Sequence, residues 1–126
     1  MRALIDTQIL LWMASAPARL SPAARRVCDS GDLVLSVASA WEIGIKYRIG
    51  KLPLPLNVRP WLDHQLRMAN VELLPVQYRH AMRASELPSD HRDPFDRLIA
   101  AQALEEDLPC VSADPAIELL GAKRIW

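Results

Sequence analysis

The sequence predicts an α/β fold: a three-layer α/β/α sandwich around a central parallel sheet, Rossmann-like in type. Two observations predict it. Short β-type apolar runs alternate with longer apolar stretches at helical spacing, which implies βα units and a parallel sheet covered by helices on both faces. The punctuation is mostly proline, placed where helices start or connections turn. A length of 126 residues supports one domain over 1–126 and leaves little room for a second. Periodicity does not give the strand order.

The first strand is Ala3-Leu4-Ile5, ending at Asp6, and the helix after it carries Ile9, Leu10 and Met13 on one face. Ser21-Pro22 starts the next helix, with Ser as N-cap and Pro at the first position. Leu33-Val34-Leu35 is the second strand. Ser36 or Ser39 caps a helix whose inner face is Ala38, Trp41, Ile45 and Ile49, and Gly50 stops it. The stretch LPLPLNVRP at 52–60 cannot be regular helix, because three prolines remove donors and restrict their predecessors. A helix from about Trp61 to Met68 leads to a third strand at 71–74, and 76–86 reads as a polar-faced helix. Asp93-Pro94 is a helix start, followed by Phe95, Leu98, Ile99, Gln102 and Ala103 on an inner face. Cys110-Val111-Ser112 is the fourth strand, 115–120 a short helix, and 123–126 a last edge strand.

Composition narrows the function. Hydrophobic residues make up 51%, which excludes a disordered chain. No apolar run approaches the ~20 residues of a membrane span, and an Asp interrupts the apolar start, so no signal peptide and a cytoplasmic setting are expected. Cys28 and Cys110 lack zinc-type spacing and read as buried thiols. Fifteen Lys and Arg balance fifteen Asp and Glu, which alone argues against a generic nucleic-acid binder.

The acids have a pattern. Open α/β sheets bind ligands at the carboxyl ends of their strands. Asp6 follows the first strand, Glu42 lies in the early turns of the helix after the second, and Asp114 follows the fourth. Asp96 opens a helix running back against the strands, so it starts at the same rim. Converging carboxylates repel and call for a counter-charge. An all-oxygen set without Cys or His suits Mg²⁺ or Mn²⁺, which assist phosphodiester hydrolysis by acidifying water and neutralising phosphate charge. Each acid also has an ordinary reading: Asp6 and Asp114 as caps, Glu42 as the i,i+4 partner of Lys46, and Asp96 as a first-turn acid favoured by the helix dipole.

Four stretches resemble the PIN-domain ribonucleases, and specifically the VapC-type toxins of bacterial toxin–antitoxin pairs. LIDTQILLW (4–12) resembles the first motif, with Asp6 as metal acid and Thr7 as its hydroxyl partner. SVASAWEIGIKYRIGKL (36–52) resembles the second, with Glu42. HRDPFDRLIAAQALEEDLPCVSAD (91–114) resembles the third and fourth, with Asp96 and Asp114. Gln8 and Ser112 depart from the commonest family pattern at positions that are not metal ligands. The resemblance implies a PIN-like parallel sheet, one or two Mg²⁺ or Mn²⁺ ions, and an endoribonuclease acting on tRNA or ribosomal RNA to halt translation. It also implies a VapB-type antitoxin that obstructs the pocket, a homodimer, and contact with DNA only through the antitoxin.

Other residues are open at this level. Thr7 and Ser36 are candidates for hydrogen bonds to the carboxylates or to water, Ser36 equally for a helix cap. Asp93 is either N-cap or a member of the site. Arg92 and Arg97 are candidate phosphate contacts, or ion-pair partners of Asp90, Asp93 or Glu105. His91 touches RNA, carries a proton or is structural. Trp41 reads as core, and Trp12 and Trp61 as surfaces for a dimer or antitoxin. Two other classes compete. A small-molecule phosphohydrolase of the haloacid-dehalogenase type needs a second Asp where this chain has Gln8, and the four glycines form no phosphate-cradling loop. A PIN-like binding module without nuclease activity would be expected to have lost acids that this chain keeps. With the four acids set aside, 15 less 4 leaves 11 acids against 15 bases, 12 of them Arg, so the body outside the pocket is mildly basic.

Overall fold

The computed structural model covers residues 1–126. In order, β1 (Arg2–Ile5), α1 (Thr7–Ser15), α2 (Pro22–Ser30), β2 (Asp32–Ser36), α3 (Val37–Arg48), α4 (Val58–Met68), β3 (Glu72–Leu74), α5 (Tyr78–Glu86), α6 (Pro94–Glu105), β4 (Cys110–Val111), α7 (Ala116–Leu119) and β5 (Arg124–Ile125) form the chain, with a 3-10 turn at Pro17–Arg19. The five strands pair in parallel in the order β3-β2-β1-β4-β5. This is the α/β/α sandwich the sequence predicts.

β1 is central, and its inner residues are buried on both faces, so it needs an unbroken apolar run. Alternate residues feed two cores. Ala3, Ile5, Leu33, Leu35 and Val111 pack with Ile9, Leu10, Ala24, Ile43 and Trp61 from α1 to α4. Leu4, Val34 and Cys110 pack on the other face with Ala84, Ile99, Ala100 and Ile117 from α5 to α7. The chain runs outward from β1 through β2 to β3, then returns to add β4 on the other side of β1. The order therefore reverses between β1 and β4, and an open α/β sheet presents its ligand crevice at that point.

Three helix starts, of α2, α3 and α6, are where the sequence put them. Ser21 accepts from the Ala24 amide, Ser36 from Ala38, and Asp93 from both Phe95 and Asp96. Gly50, at φ 77, closes α3. Three expectations are corrected. The inner face of α3 is Ala38, Ser39 and Ile43, whereas Trp41 is 64% exposed and Ile49 58%. A row of residues four apart marks a stripe, but spacing alone does not say which stripe faces inward. Second, α4 begins at Val58, not Trp61. Pro60 lies in its first turn, where the amide it lacks has no intrahelical partner anyway. Third, Trp61 is core, and Trp12 is not a free surface: its ring lies 5.8 Å from that of Trp126 and under the Arg19 guanidinium at 4.7 Å. Both cysteines are free, Cys110 fully buried and Cys28 partly so. No helix is long and apolar enough to cross a membrane.

Candidate active site

The carboxyl ends of β1 and β4 open into a cleft of about 340 Å³ lined by Asp6, Thr7, Gln8, Glu42, Lys46, Asp93, Asp96, Ile99, Ala113 and Asp114. The four predicted acids and Asp93 thus come together from positions more than a hundred residues apart. Asp6 is set by β1 and held by its own cap bond, accepting from the Ile9 amide at 3.0 Å. The cap and the site readings of Asp6 are therefore not exclusive. The same holds for Asp114, whose Oδ1 accepts from the Ala116 amide at 2.9 Å. Asp93 caps α6 while lining the cleft.

Glu42 is held from both sides. Thr7 Oγ1 donates to its Oε1 at 2.6 Å, and Lys46 Nζ lies 3.2 Å from its Oε2. Thr7 is also 2.8 Å from the Ser39 hydroxyl, so α1 and α3 are pinned together beneath the cleft. Asp96 meets His91, Nε2 to Oδ2, at 2.8 Å. The buried Ser112 hydroxyl lowers the Asp6 carboxyl's affinity for its proton, and its Oγ accepts from the Asp114 amide at 3.0 Å.

The cost of this gathering shows in the acids. Burial pushes the Asp6 carboxyl up from 3.8 to about 6. Asp96 and Asp114 push the same way, while Ser112 and the Ile9 amide pull back. Asp96 is raised too, first by burial and then by Asp93 and Asp114, against the hydrogen bond from His91. A site that holds carboxylates above their ordinary range favours a cation. No three acidic or histidine side chains close on one point at ligand distance. The donor set is all oxygen, the kind that Mg²⁺ and Mn²⁺ take, and Mg²⁺ needs only one or two carboxylates directly and keeps several waters. Asp96 Oδ1 and Asp114 Oδ2 have no protein donor and are the open oxygens. The residues present fit the ion.

Arg97 is resolved differently from the sequence reading, and Ser36 takes one of the two roles read for it. Arg97 does not face the cleft. All five of its N–H groups are spent on carbonyls: Nε and Nη2 donate to Ala84, Nη1 to Ser89 and His91, and Nη2 to Leu87. No donor is left for a phosphate, and no acid pairs with it, so Arg97 locks the 84–91 connection. Ser36 acts as the cap of α3, its Oγ accepting from Ala38 at 3.0 Å. Arg92 is exposed near the cleft mouth. Sequence reasoning took Ser39 only as a candidate cap and gave Ser112 no task. The only signal for either was a hydroxyl in an otherwise apolar run. Trp41, one residue before Glu42, stands edge-on to Phe95, one residue before Asp96, with centroids 5.4 Å apart. The aromatic pair therefore sits on the surface beside the acids.

A parallel α/β domain that collects acids at the reversal of its strand order belongs to the class of Rossmann-like folds with an acidic cleft at the strand ends. The particular family follows from comparison. The chain belongs to the PIN domain family, whose model matches residues 3–123. Ribonuclease VapC22 of Mycobacterium tuberculosis is 31% identical over 113 residues, 88% of this chain and 85% of that protein. Ribonuclease VapC16 of the same organism is 42% identical over 60 residues, 46% of this chain and 43% of that protein, so this match spans less than half of that relative. Among solved structures, VapBC2 from Rickettsia felis bound to a promoter DNA fragment superposes with TM-score 0.72 over the full length of both chains at 14% identity. FitAcB from Neisseria gonorrhoeae gives 0.64 at 22% identity, over 98% of this chain and 96% of that one. At those identities the structures speak for the fold.

Proposed function

We propose that the protein is a Mg²⁺- or Mn²⁺-dependent endoribonuclease, the toxin of a VapBC-type pair, acting on tRNA or ribosomal RNA in the cytoplasm. The observation that carries this is the gathering of Asp6, Glu42, Asp96 and Asp114 in one cleft of a PIN-domain chain. Asp6, Asp96 and Asp114, with Glu42, are the residues that would hold the ion. When bound, it supplies positive charge at the scissile phosphate and acidifies water.

The chain's own residues do the rest. The Ile9 amide fixes Asp6, His91 fixes Asp96, and Thr7 fixes Glu42, so the acids need not reorganise when charge arrives. Arg92 offers an exposed guanidinium to the RNA backbone. A VapB-type antitoxin fits the names of the relatives. The exposed stripe of Val37, Trp41, Ile45 and Ile49 on α3 supports an apolar protein partner, whether antitoxin or a second copy in a homodimer. Cleavage of cellular RNA by the purified chain, with Asp96→Asn and EDTA as controls, tests the reading. Equal cleavage by wild type and Asp96→Asn would sink it.

A further inference from the structure

Among the side chains lining the cleft, Lys46 is the only base. Its ammonium lies 3.2 Å from Glu42 Oε2, one turn earlier on α3. The other oxygen of Glu42 takes the Thr7 hydroxyl. Glu42 is thus the one predicted acid with both oxygens engaged by side chains, while Asp96 and Asp114 each keep an oxygen without a protein donor. An ion entering this cleft meets three acids with capacity and a fourth already neutralised.

An RNA strand faces the reverse problem. Its phosphates must approach a wall of carboxylates, and Lys46 is the one lining group that attracts them. Lysine suits an exchange of partners: it is a point charge on a flexible four-carbon stem, without the fixed fork of arginine. The Lys46 side chain is 41% exposed, so its ammonium is reachable from solvent. A phosphate at the cleft and Glu42 compete for the same ammonium.

We propose that Lys46 is a positioning residue shared between Glu42 and an RNA phosphate. In the free protein it neutralises Glu42. When RNA enters, it turns to the phosphate and releases Glu42 Oε2 to the divalent ion. The inference rests on the nuclease reading above and adds a coupling to it. RNA and ion each tighten the other's binding, and by the same factor, because binding free energies are reciprocal. The signature is a divergence of sign. Removing Lys46 strengthens ion binding, since Glu42 is released, and weakens RNA binding. A salt bridge that merely steadies α3 gives no such divergence.

The test uses the full chain with Lys46→Met and Lys46→Arg. Mn²⁺ affinity is read by electron paramagnetic resonance without RNA. Affinity for a short single-stranded RNA is read by fluorescence anisotropy in EDTA across a salt series. Lys46→Met is expected to bind Mn²⁺ about 2- to 5-fold more tightly, the range set by a partly exposed ion pair. Its slope of log affinity against log salt is expected to be shallower by about 0.7, one phosphate contact to a single strand. Lys46→Arg restores the slope. Unchanged or weaker Mn²⁺ binding in Lys46→Met, or an unchanged salt slope, overturns the inference. If wild type cleaves RNA while Lys46→Met shows either of those results, only the role of Lys46 falls. If wild type neither binds nor cleaves RNA, the nuclease reading falls and takes this inference with it.

Discussion

Asp6→Asn separates the work of the site from the stability of the fold. Asp6 is 8% exposed, and its carboxyl is pushed from 3.8 to about 6, mainly by burial. That is about two decades, and at ~1.4 kcal/mol per decade it amounts to about 3 kcal/mol against the ionised form. The sign follows from linkage. The folded state holds the proton to higher pH than the unfolded chain, so the metal-free protein has this stability below pH 3.8 and loses it as pH rises through about 6. Asparagine matches the protonated acid in shape, can still cap Ile9 through its carbonyl oxygen and carries no charge. In EDTA at pH 8 the variant is expected to be more stable than wild type by about 3 kcal/mol, and near pH 4 the two converge. With a urea slope of ~2 kcal/mol/M for a chain of this size, the midpoint rises by about 1.5 M at pH 8.

Divalent ion closes this gap. At a free concentration 100 times its Kd, an ion stabilises wild type by about 2.7 kcal/mol, a gain the variant largely forgoes. Urea midpoints at pH 4 and pH 8, with EDTA and with Mg²⁺, check both halves. A variant less stable than wild type in EDTA at pH 8, or a difference that does not change with pH, refutes the reasoning that this carboxylate is a strained, cation-awaiting group.

Three further outcomes follow from other contacts. Thr7→Val removes the hydroxyl that holds Glu42 and should lower RNA cleavage about 10- to 100-fold, the usual cost of losing an outer support of a ligand, with circular dichroism unchanged. Arg97→Ala leaves four backbone carbonyls without their donor and should cost about 3 kcal/mol in urea unfolding, while the salt slope of RNA binding stays put; a shallower slope would restore Arg97 as a phosphate contact. Leu4→Ala, at a fully buried position on the central strand, should cost about 2–5 kcal/mol, and a loss under 1 kcal/mol would mean that this core collapses around the gap.

The parts of this molecule legible in its sequence are those fixed by local chemistry. Ser21-Pro22 and Asp93-Pro94 announce helix starts because cap oxygen and proline act within one turn. The central strand is legible because a strand buried on both faces must be apolar throughout. What was not legible depends on contacts across the fold. Trp41 and Ile43 are both apolar residues in one helix, and only the packing against β1 and β2 decides that Ile43 goes in and Trp41 out. Arg97 looked like a phosphate ligand because it is one residue from Asp96, yet that one step around a helix turns it from the cleft toward the carbonyls of 84–91. Ser112 carried only the weak signal of a hydroxyl in an apolar run, since what it does for Asp6, from the far end of the chain, is set by the fold.

The same division explains how a chain of zero net charge can be suited to a polyanion. Asp6 and Asp114 are brought to the β1–β4 crevice by strand order alone; Asp6 caps its own helix and Asp114 accepts from the Ala116 amide in the turn before α7, so the acids are anchored by local bonds before any ion arrives. The repulsion this creates is confined to one cleft, where burial amplifies it and a divalent cation relieves it. Outside the cleft, whose lining takes five of the fifteen acids and Lys46 of the fifteen bases, the balance is fourteen bases against ten acids, and the bases are mostly arginine. Long-range attraction for phosphate is therefore weak and the local demand for a cation strong. On the proposed reading RNA affinity depends on the ion and on Lys46 more than on net charge, which is why ion binding and salt slope are the measurements that discriminate.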